Sequence, residues 1–229
     1  MPTPAGDALV VLEQGRGRPR GLLVLGHGAG GGITAVDLVA VRDEALRAGC
    51  AVARVTQPYR VAARRRPPPA TAVLDTAWVA AVAATRERVA AAGGAAGGAA
   101  GDTAGLAAGP AAALVVGGRS SGARVACRTA RAVGAVGVLA LAFPLHPPGR
   151  PAVTRAAELD PGVDTLVING ERDPFGVPEA DGLVRVVVLP GERHDLSRDP
   201  GAVAVAAMAW LKDRLAGPRR RPTDRSAMA

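Results

Sequence analysis

Short apolar segments rich in Val, Leu and Ala recur along the chain, and most of them end at a glycine or a proline. Continuous apolar runs of this length are typical of β-strands that are covered on both faces of a sheet. The pattern predicts strands at 20–28, 50–58, 112–118, 136–144, 163–170 and 183–191, with an additional edge strand in ALVVLEQG near the N-terminus.

The segments between these runs have the apolar spacing of helices. We predict helices at 34–48, at 71–91, from Ser120 or Ser121 onward, and at about 199–216. Strands that alternate with helices indicate βαβ units. The predicted fold class is therefore α/β, with a mainly parallel sheet flanked by helices on both faces. The predicted apolar stripes of the second and last helices are Leu74, Trp78, Val82 and Val89, and Val203, Ala207, Trp210 and Leu211.

Length and composition favour a single domain. A chain of 229 residues with 48% hydrophobic residues can bury one sizeable core. We assign this domain to residues 1–216. The low-complexity stretch at 91–112 is predicted to be a flexible Gly/Ala loop within the domain, and residues 217–229 a disordered basic tail.

The net charge of +8 raises the question of a nucleic-acid partner. The basic residues are scattered except at Arg64–Arg66 and Arg219–Arg221, and aromatic residues make up only 2% of the chain. Without an aromatic stacking platform, nucleic-acid binding is disfavoured. No apolar run approaches the roughly 20 residues of a membrane helix, so we expect a soluble, cytoplasmic protein without a membrane partner. Cys50 and Cys127 lie in apolar segments, where buried thiols are expected.

Functional groups in parallel α/β sheets collect in the loops that follow the carboxyl ends of the strands. The loops that follow the predicted strands contain a serine, an acid and a histidine, in that order along the chain. Nucleophilic catalysis needs these three types of group. The loop sequences are HGAGGG, QPYR, GRSSG, ERDPFG and PGERHD.

The segment Gly118 to Gly122 fits the G-x-S-x-G pattern of a nucleophile elbow and occupies a predicted strand-to-helix turn. In this frame Ser120 is the candidate nucleophile, and its flanking glycines are expected to permit the sharp turn. The useful group of Ser121 would be its backbone N–H.

His194 is the candidate base, because it lies between the last strand and the last helix. A neutral imidazole can take the Ser120 proton and return it to a leaving group. The competing histidines are His27, in a glycine-rich turn, and His146, in a proline-rich segment.

Asp173 is the preferred partner of the base, since it follows the preceding strand and could orient the imidazole of His194. Glu171 and Asp195 are the alternatives. The Pro-Phe pair at 174–175 is expected to fix the loop around Asp173.

The glycines Gly26, Gly28 and Gly31 also satisfy G-x-G-x-x-G, the pattern of a dinucleotide site. Such a site needs an acidic residue at the end of the next strand, which instead reads RVTQPY. We therefore favour a loop whose backbone N–H, most simply that of Ala29, joins the N–H of Ser121 in an oxyanion hole. No cofactor and no metal are expected.

These motifs, in this order and spacing, resemble the α/β-hydrolase superfamily over about residues 8 to 216. RVTQPYR, PLHPPGRP and GERDPFG resemble more narrowly the small dienelactone-hydrolase-like proteins. That group includes bacterial relatives of a subunit of the animal NSL chromatin complex. The resemblance implies a catalytic triad of Ser120, Asp173 and His194.

Hydrolases of this fold often insert a lid between the strands predicted to end near 143 and to begin near 163. Only about 20 residues are available here, which implies an open, shallow site and small acyl groups. Further substrate contacts are expected from polar side chains in the loops, and an arginine among them would favour an anionic substrate. The candidates are His27, Gln57, Tyr59, Arg60, Arg119 and His146.

The first functional hypothesis is a serine hydrolase that cleaves a small ester, thioester or related acyl bond through an acyl-enzyme. The alternative is a catalytically inactive scaffold or binding protein on the same fold. A nucleotide-binding protein is the third. The expected partner of the enzyme is a small-molecule acyl substrate, and the oligomeric state is left open.

Overall fold

The computed structural model describes residues 1–15, 18–62, 67–95 and 113–215. The described chain contains seven strands and five α-helices. The strands are β1 (Leu9–Glu13), β2 (Gly21–Gly26), β3 (Ala51–Thr56), β4 (Ala113–Arg119), β5 (Gly137–Leu141), β6 (Asp164–Gly170) and β7 (Val184–Leu189). The helices are α1 (Val36–Arg47), α2 (Pro58–Val61), α3 (Thr71–Ala95), α4 (Ser121–Thr129) and α5 (Pro200–Leu215).

All seven strands form one sheet in the order β1-β3-β2-β4-β5-β6-β7. Strand β1 pairs antiparallel with β3 at one edge, and the other pairs are parallel. In the centre, Gly26 at the end of β2 lies opposite Gly118 of β4. The carboxyl ends of six strands therefore meet at one edge of the sheet, and the loops that follow them lie side by side.

Each face of the sheet has its own hydrophobic core, because successive side chains of a strand point to opposite faces. In β2, Leu22 and Val24 pack with the apolar side chains of α3 and α4. Leu23 and Leu25 pack on the other face with those of α1 and α5. The predicted α/β architecture, with helices on both faces, is confirmed.

Helix α3 continues through Ala95, although the glycine- and alanine-rich segment was predicted to become a loop from residue 91. Alanine has the highest intrinsic helix propensity, so an alanine-rich sequence sustains the helix for another turn. The rest of the predicted loop, at 96–112, lies outside the described residues. The same holds for Arg64–Arg66 and for the predicted tail at 217–229, including Arg219–Arg221.

The connection from β5 to β6 is short and carries only a 3₁₀ turn at Ala156–Leu159. Glu158 fastens this turn to α4, because its carboxylate accepts hydrogen bonds from Arg124 at 2.6 and 2.8 Å and from Arg128 at 2.8 Å. Arg128 also binds Asp75 of α3. The segment where a lid would stand is thus tied down against the helices.

Cys50 and Cys127 are both free and buried, as predicted. Burial raises the pKa of the Cys127 thiol to about 12. Within the described ranges, none of the helices is long and apolar enough to cross a membrane.

Candidate active site

The turn between β4 and α4 places Ser120 at the carboxyl edge of the sheet. Its backbone has φ 53° and ψ −110°, a conformation that non-glycine residues rarely adopt. The Ser120 N–H donates to the carbonyl of Leu141 at 2.9 Å, which ties the turn to the end of β5. The backbone strain of the elbow therefore falls on the serine itself.

The glycines that flank Ser120 are required by close packing. A Cβ atom on Gly118 would lie 2.5 Å from the carbonyl oxygen of Gly26. A Cβ atom on Gly122 would lie 2.6 Å from the same carbonyl group and 2.9 Å from the carbonyl oxygen of His27. Close packing is thus a second reason for these glycines, beside the sharp turn that they were expected to permit: they let the elbow approach the end of β2.

His194 joins Ser120 to Asp173. The Nδ1 atom of His194 is 2.8 Å from Asp173 Oδ2, and its Nε2 atom is 2.9 Å from Ser120 Oγ. A carboxylate only accepts hydrogen bonds, so Nδ1 carries the proton and Nε2 accepts from the hydroxyl. The ring of Phe175 meets the imidazole edge-on, with 4.5 Å between the ring centroids. The imidazole is therefore held on three sides.

The carboxylate of Asp173 is fully buried and hydrogen-bonded on both oxygens. Its Oδ1 accepts from the Phe175 N–H at 2.9 Å, and its Oδ2 accepts from Asn169 Nδ2 at 3.3 Å. The two alternative acids have other partners: Glu171 accepts from the N–H of Gly191, and Asp195 from the hydroxyl of Ser197. Of the three acids considered, Asp173 is the one that contacts His194.

A glycine at the end of β6 brings the acid and base loops together. A Cβ atom on Gly170 would lie 2.5 Å from the backbone carbonyl of Glu192. Glu192 is itself buried, and its carboxylate accepts from the N–H groups of Arg198 and Asp199. These hydrogen bonds hold the loop that contains His194 in a turn, and Gly170 lets this turn pack closely against the end of β6.

The loop after β2 lies directly against the serine, since a Cβ atom on Gly28 would be 3.5 Å from Ser120 Cβ. The carbonyl of Gly28 accepts from His27 Nδ1 at 2.8 Å and from the Gly31 N–H at 3.1 Å. These bonds fix the peptide that carries the Ala29 N–H. Within the described residues, the N–H groups of Ala29 and Ser121 donate to no other group.

Three of the predicted substrate contacts, His27, Gln57 and Tyr59, are part of the framework around this loop. The N–H of Gln57 donates to His27 Nε2 at 3.0 Å, and Gln57 Nε2 donates to the carbonyl of Leu74. Burial lowers the pKa of His27, so the ring is neutral and both of its nitrogens serve backbone groups. The Tyr59 hydroxyl donates a hydrogen bond to the carbonyl of Ala29 at 3.0 Å. Beside the larger effect of burial, the positive charge of Arg60 lowers the pKa of both His27 and Tyr59.

Arg119 and His146 also have internal partners. The guanidinium of Arg119 donates to the carbonyl of His194 at 3.0 Å and forms an ion pair with Asp37. His146 Nδ1 donates to the carbonyl of Val153 at 2.9 Å, and its ring lies against Gly176. Neither side chain is directed at Ser120 through any hydrogen bond that the described part of the chain contains.

Sequence reasoning missed three buried polar residues of this site. Asn169 and Glu192 hold the acid and base loops, and Asp37 holds Arg119. Asn169 and Asp37 were visible as a signal, because each stands in an apolar stretch where a polar side chain is unusual and needs partners. Glu192 stands among polar residues and gave no such signal.

Two cavities of about 640 and 530 Å³ flank the β5–β6 connection, and neither is lined by Ser120 or His194. The first is bordered by Leu145 and Val177, and the second by Asp75 and Arg128. In the described ranges, no cluster of three or more His, Cys, Asp or Glu side chains is placed to hold a metal ion.

The arrangement has the elements of nucleophilic acyl chemistry. A hydroxyl contacts an imidazole, the imidazole contacts a buried carboxylate, and the N–H groups of Ala29 and Ser121 have no backbone partner among the described residues. In such a chain the imidazole can accept the hydroxyl proton while the carboxylate stabilises the resulting cation. The N-terminus of α4 adds positive potential beside the hydroxyl.

Solved structures share this architecture. XC6422 from Xanthomonas campestris, described as an α/β serine hydrolase without lid, is 17% identical, with a TM-score of 0.64 over 91% of this chain and 92% of that one. Est1E from Butyrivibrio proteoclasticus, solved with ferulic acid, is 14% identical, with a TM-score of 0.63 over 91% and 96%. The dienelactone hydrolase from Anabaena variabilis is 19% identical, with a TM-score of 0.60 over 88% of each chain.

At these identities the likeness shows a common fold. Among curated proteins, none matches the sequence significantly. The profile of the family described as an alpha/beta hydrolase domain, however, matches residues 19–198. That range contains most of the sheet and all the loops described above, and it confirms the superfamily resemblance seen in the motifs. The chain belongs to the alpha/beta hydrolase domain family.

Proposed function

We propose that this protein is a serine hydrolase that cleaves a small ester, thioester or related acyl bond through an acyl-enzyme. The observation that carries the proposal is the contact between Ser120 Oγ and His194 Nε2, at 2.9 Å, in a ring already oriented by Asp173. Membership of the alpha/beta hydrolase domain family supports a hydrolase, and this contact supports Ser120 as its nucleophile.

In the proposed reaction, Ser120 Oγ attacks the acyl carbonyl and its proton passes to His194 Nε2. The oxyanion that forms accepts hydrogen bonds from the N–H groups of Ala29 and Ser121. The bond to the leaving alcohol or thiol then breaks, and that group takes the proton from His194. Water repeats the sequence on the acyl-enzyme: its proton goes to His194, the acid is released, and Ser120 regains its hydrogen.

The proposed substrate class is a small or surface-presented acyl group, because the β5–β6 connection is short and fastened to α4 by Glu158. The structural neighbours support this class, since they include a lidless serine hydrolase and a dienelactone hydrolase. Membership of the dienelactone-hydrolase-like group, the relation to the NSL-complex subunit and a cytoplasmic location stay predictions from the sequence.

Labelling with a fluorophosphonate, followed by mapping of the modified peptide, tests the proposal. The probe needs an activated serine and an oxyanion hole but no knowledge of the substrate. We expect modification at Ser120, none in Ser120→Ala, and almost none in His194→Ala. Ser121→Ala is the matched control, because this neighbouring serine keeps its N–H in the variant and should be labelled normally at Ser120.

The outcome separates the two functional hypotheses. Labelling at Ser120 that depends on His194 supports the hydrolase and justifies a screen of short-chain esters and thioesters. A folded protein that the probe leaves unmodified would instead favour the inactive scaffold, and a search for binding partners would follow.

A further inference from the structure

The side chain of Arg119 connects three segments whose relative positions matter for the proposed reaction. Arg119 is the last residue of β4 and directly precedes Ser120. Its Nη2 donates to the backbone carbonyl of His194 at 3.0 Å, and its Nε lies 3.3 Å from Asp37 Oδ2 at the start of α1. One guanidinium thus reaches from the elbow to the base loop and to the helix that follows β2.

Asp37 is a completely buried carboxylate with few other partners. Its Oδ1 accepts from the Leu38 N–H at 2.9 Å, whereas Oδ2 has no hydrogen-bond partner among the described residues. Burial raises the pKa of Asp37 to about 6, against the opposing effect of the Arg119 charge. Burying an ionised carboxylate is costly unless a counter-charge lies close by. Arg119 provides that counter-charge.

We propose that Arg119 and Asp37 are a positioning pair for the base: Arg119 holds the backbone of His194 at a set distance from Ser120, and Asp37 holds and neutralises Arg119. The inference rests on the proposed hydrolase function. It assigns a role to an arginine that the sequence had suggested as a substrate contact, and to an aspartate that no motif includes.

The geometric part of the role follows from covalent adjacency. Because Arg119 and Ser120 are neighbours in the chain, a hydrogen bond from Arg119 to the carbonyl of His194 couples the position of the base to that of the nucleophile. Catalysis is sensitive to this distance, and a displacement of about 1 Å can cost roughly 100-fold in rate.

The electrostatic part follows from the charge that His194 acquires when it takes the serine proton. An uncompensated guanidinium nearby disfavours the imidazolium cation. Among the described residues, the charged groups that act on Asp37 are Arg119 from β4 and Asp195 from the loop after β7, and Asp173 contacts Nδ1 of His194. Well above its pKa of about 6 Asp37 is ionised, and its negative charge then offsets the positive charge that Arg119 presents to His194.

The test measures the second-order rate of fluorophosphonate labelling at Ser120 as a function of pH, with a thermal unfolding curve for each variant. The variants are Arg119→Gln, Asp37→Asn and the double variant with both changes. Arg86→Gln is the matched control, because Arg86 also donates to a backbone carbonyl, that of Val133 at 2.9 Å, but far from the site.

We expect Arg119→Gln to label about 10- to 100-fold more slowly than the wild type, while Arg86→Gln labels normally. In Asp37→Asn, the uncompensated Arg119 should move the acid limb of the labelling profile about one unit toward lower pH. The double variant removes both charges and should return the acid limb to its wild-type position. Loss of a contact with only a structural role would lower the labelling rate without shifting the acid limb of its pH profile.

Failure of the inference and failure of the proposed function give different results. If the wild type is labelled at Ser120 but all three variants match Arg86→Gln in rate and pH profile, the positioning pair is overturned and the hydrolase remains. If the folded wild type is not labelled, both the proposed hydrolase function and the positioning pair are overturned. Should Arg119→Gln fail to fold, the acid limb of Asp37→Asn still decides, and an unmoved limb in that variant overturns the pair.

Discussion

Gly122, at the start of α4, packs so closely on Gly26, at the end of β2, that an added Cβ atom would lie 2.6 Å from the carbonyl of Gly26. Both partners of this contact are backbone, so the conflict could be relieved only by moving α4 away from the sheet. The contact therefore couples the elbow to the proposed oxyanion loop.

The first prediction concerns Gly122→Ala. It should destabilise the fold by more than about 2 kcal/mol and reduce labelling of Ser120 in the molecules that remain folded. Denaturant unfolding and probe labelling check the two effects. Gly30→Ala is the control, because a Cβ atom there meets nothing within 4 Å. Equal stabilities of the two variants would contradict the packing argument.

The second prediction distinguishes the acids near His194. Asp173→Asn should lower the labelling rate by about three orders of magnitude, since the amide no longer favours the tautomer in which Nε2 accepts the serine proton. Glu171→Gln should react nearly normally, because Glu171 binds the N–H of Gly191. A comparable loss in Glu171→Gln would mean that the acid is wrongly assigned.

The third prediction concerns Asn169, whose side chain accepts from the Phe143 N–H at 2.8 Å and donates toward Asp173. Asn169→Ala should lower kcat on an ester substrate about 10- to 100-fold with a smaller change in KM, because Asp173 loses a donor that orients it. Thr165→Val, a buried polar change on the same strand, is the control for stability alone. Equal activities in the two variants would limit Asn169 to a structural role.

The fourth prediction follows from the raised pKa of Asp37. Its pKa of about 6 in the folded protein exceeds the ordinary aspartate value of 3.8, so the folded state binds more protons than the unfolded state between these values. Stability contributed by this group is present below about pH 4 and decreases as the pH rises through 6.

As the pH rises from 4 to 7, the free energy of unfolding of Asp37→Asn should therefore increase relative to that of the wild type. Loss of the partner of Arg119 adds a destabilisation that does not change with pH. Thermal or denaturant unfolding of both proteins across this range measures the difference. Parallel pH profiles would mean that Asp37 is ionised throughout.

Much of the fold could be predicted because both faces of the sheet are buried. This burial demands apolar strands, such as LLVL in β2, that stand out from the helices on either side. The positions of Ser120 and His194 followed from the same reasoning, since loops at the carboxyl edge of a parallel sheet must be neighbours.

The partners of long polar side chains could not be predicted in this way. The side chain of Arg119 is long enough to contact solvent, a substrate or any of several loops. Its direction is set by an ion pair with Asp37, which is distant in the sequence. Similarly, the residue at which α3 ends depends on a small free-energy difference between helix and coil in an alanine-rich segment. A prediction from composition does not resolve that difference.

The order of strands in the sheet has a consequence for biosynthesis. Ser120 follows a central strand, whereas its partner His194 lies 74 residues later, beyond the edge strand β7. A chain in which β7 and the loop after it have not joined the sheet therefore lacks the imidazole contact at Ser120. Reactivity of Ser120 toward the probe would then report only those molecules in which β7 and the loop after it have joined the sheet, during synthesis or after dilution from denaturant.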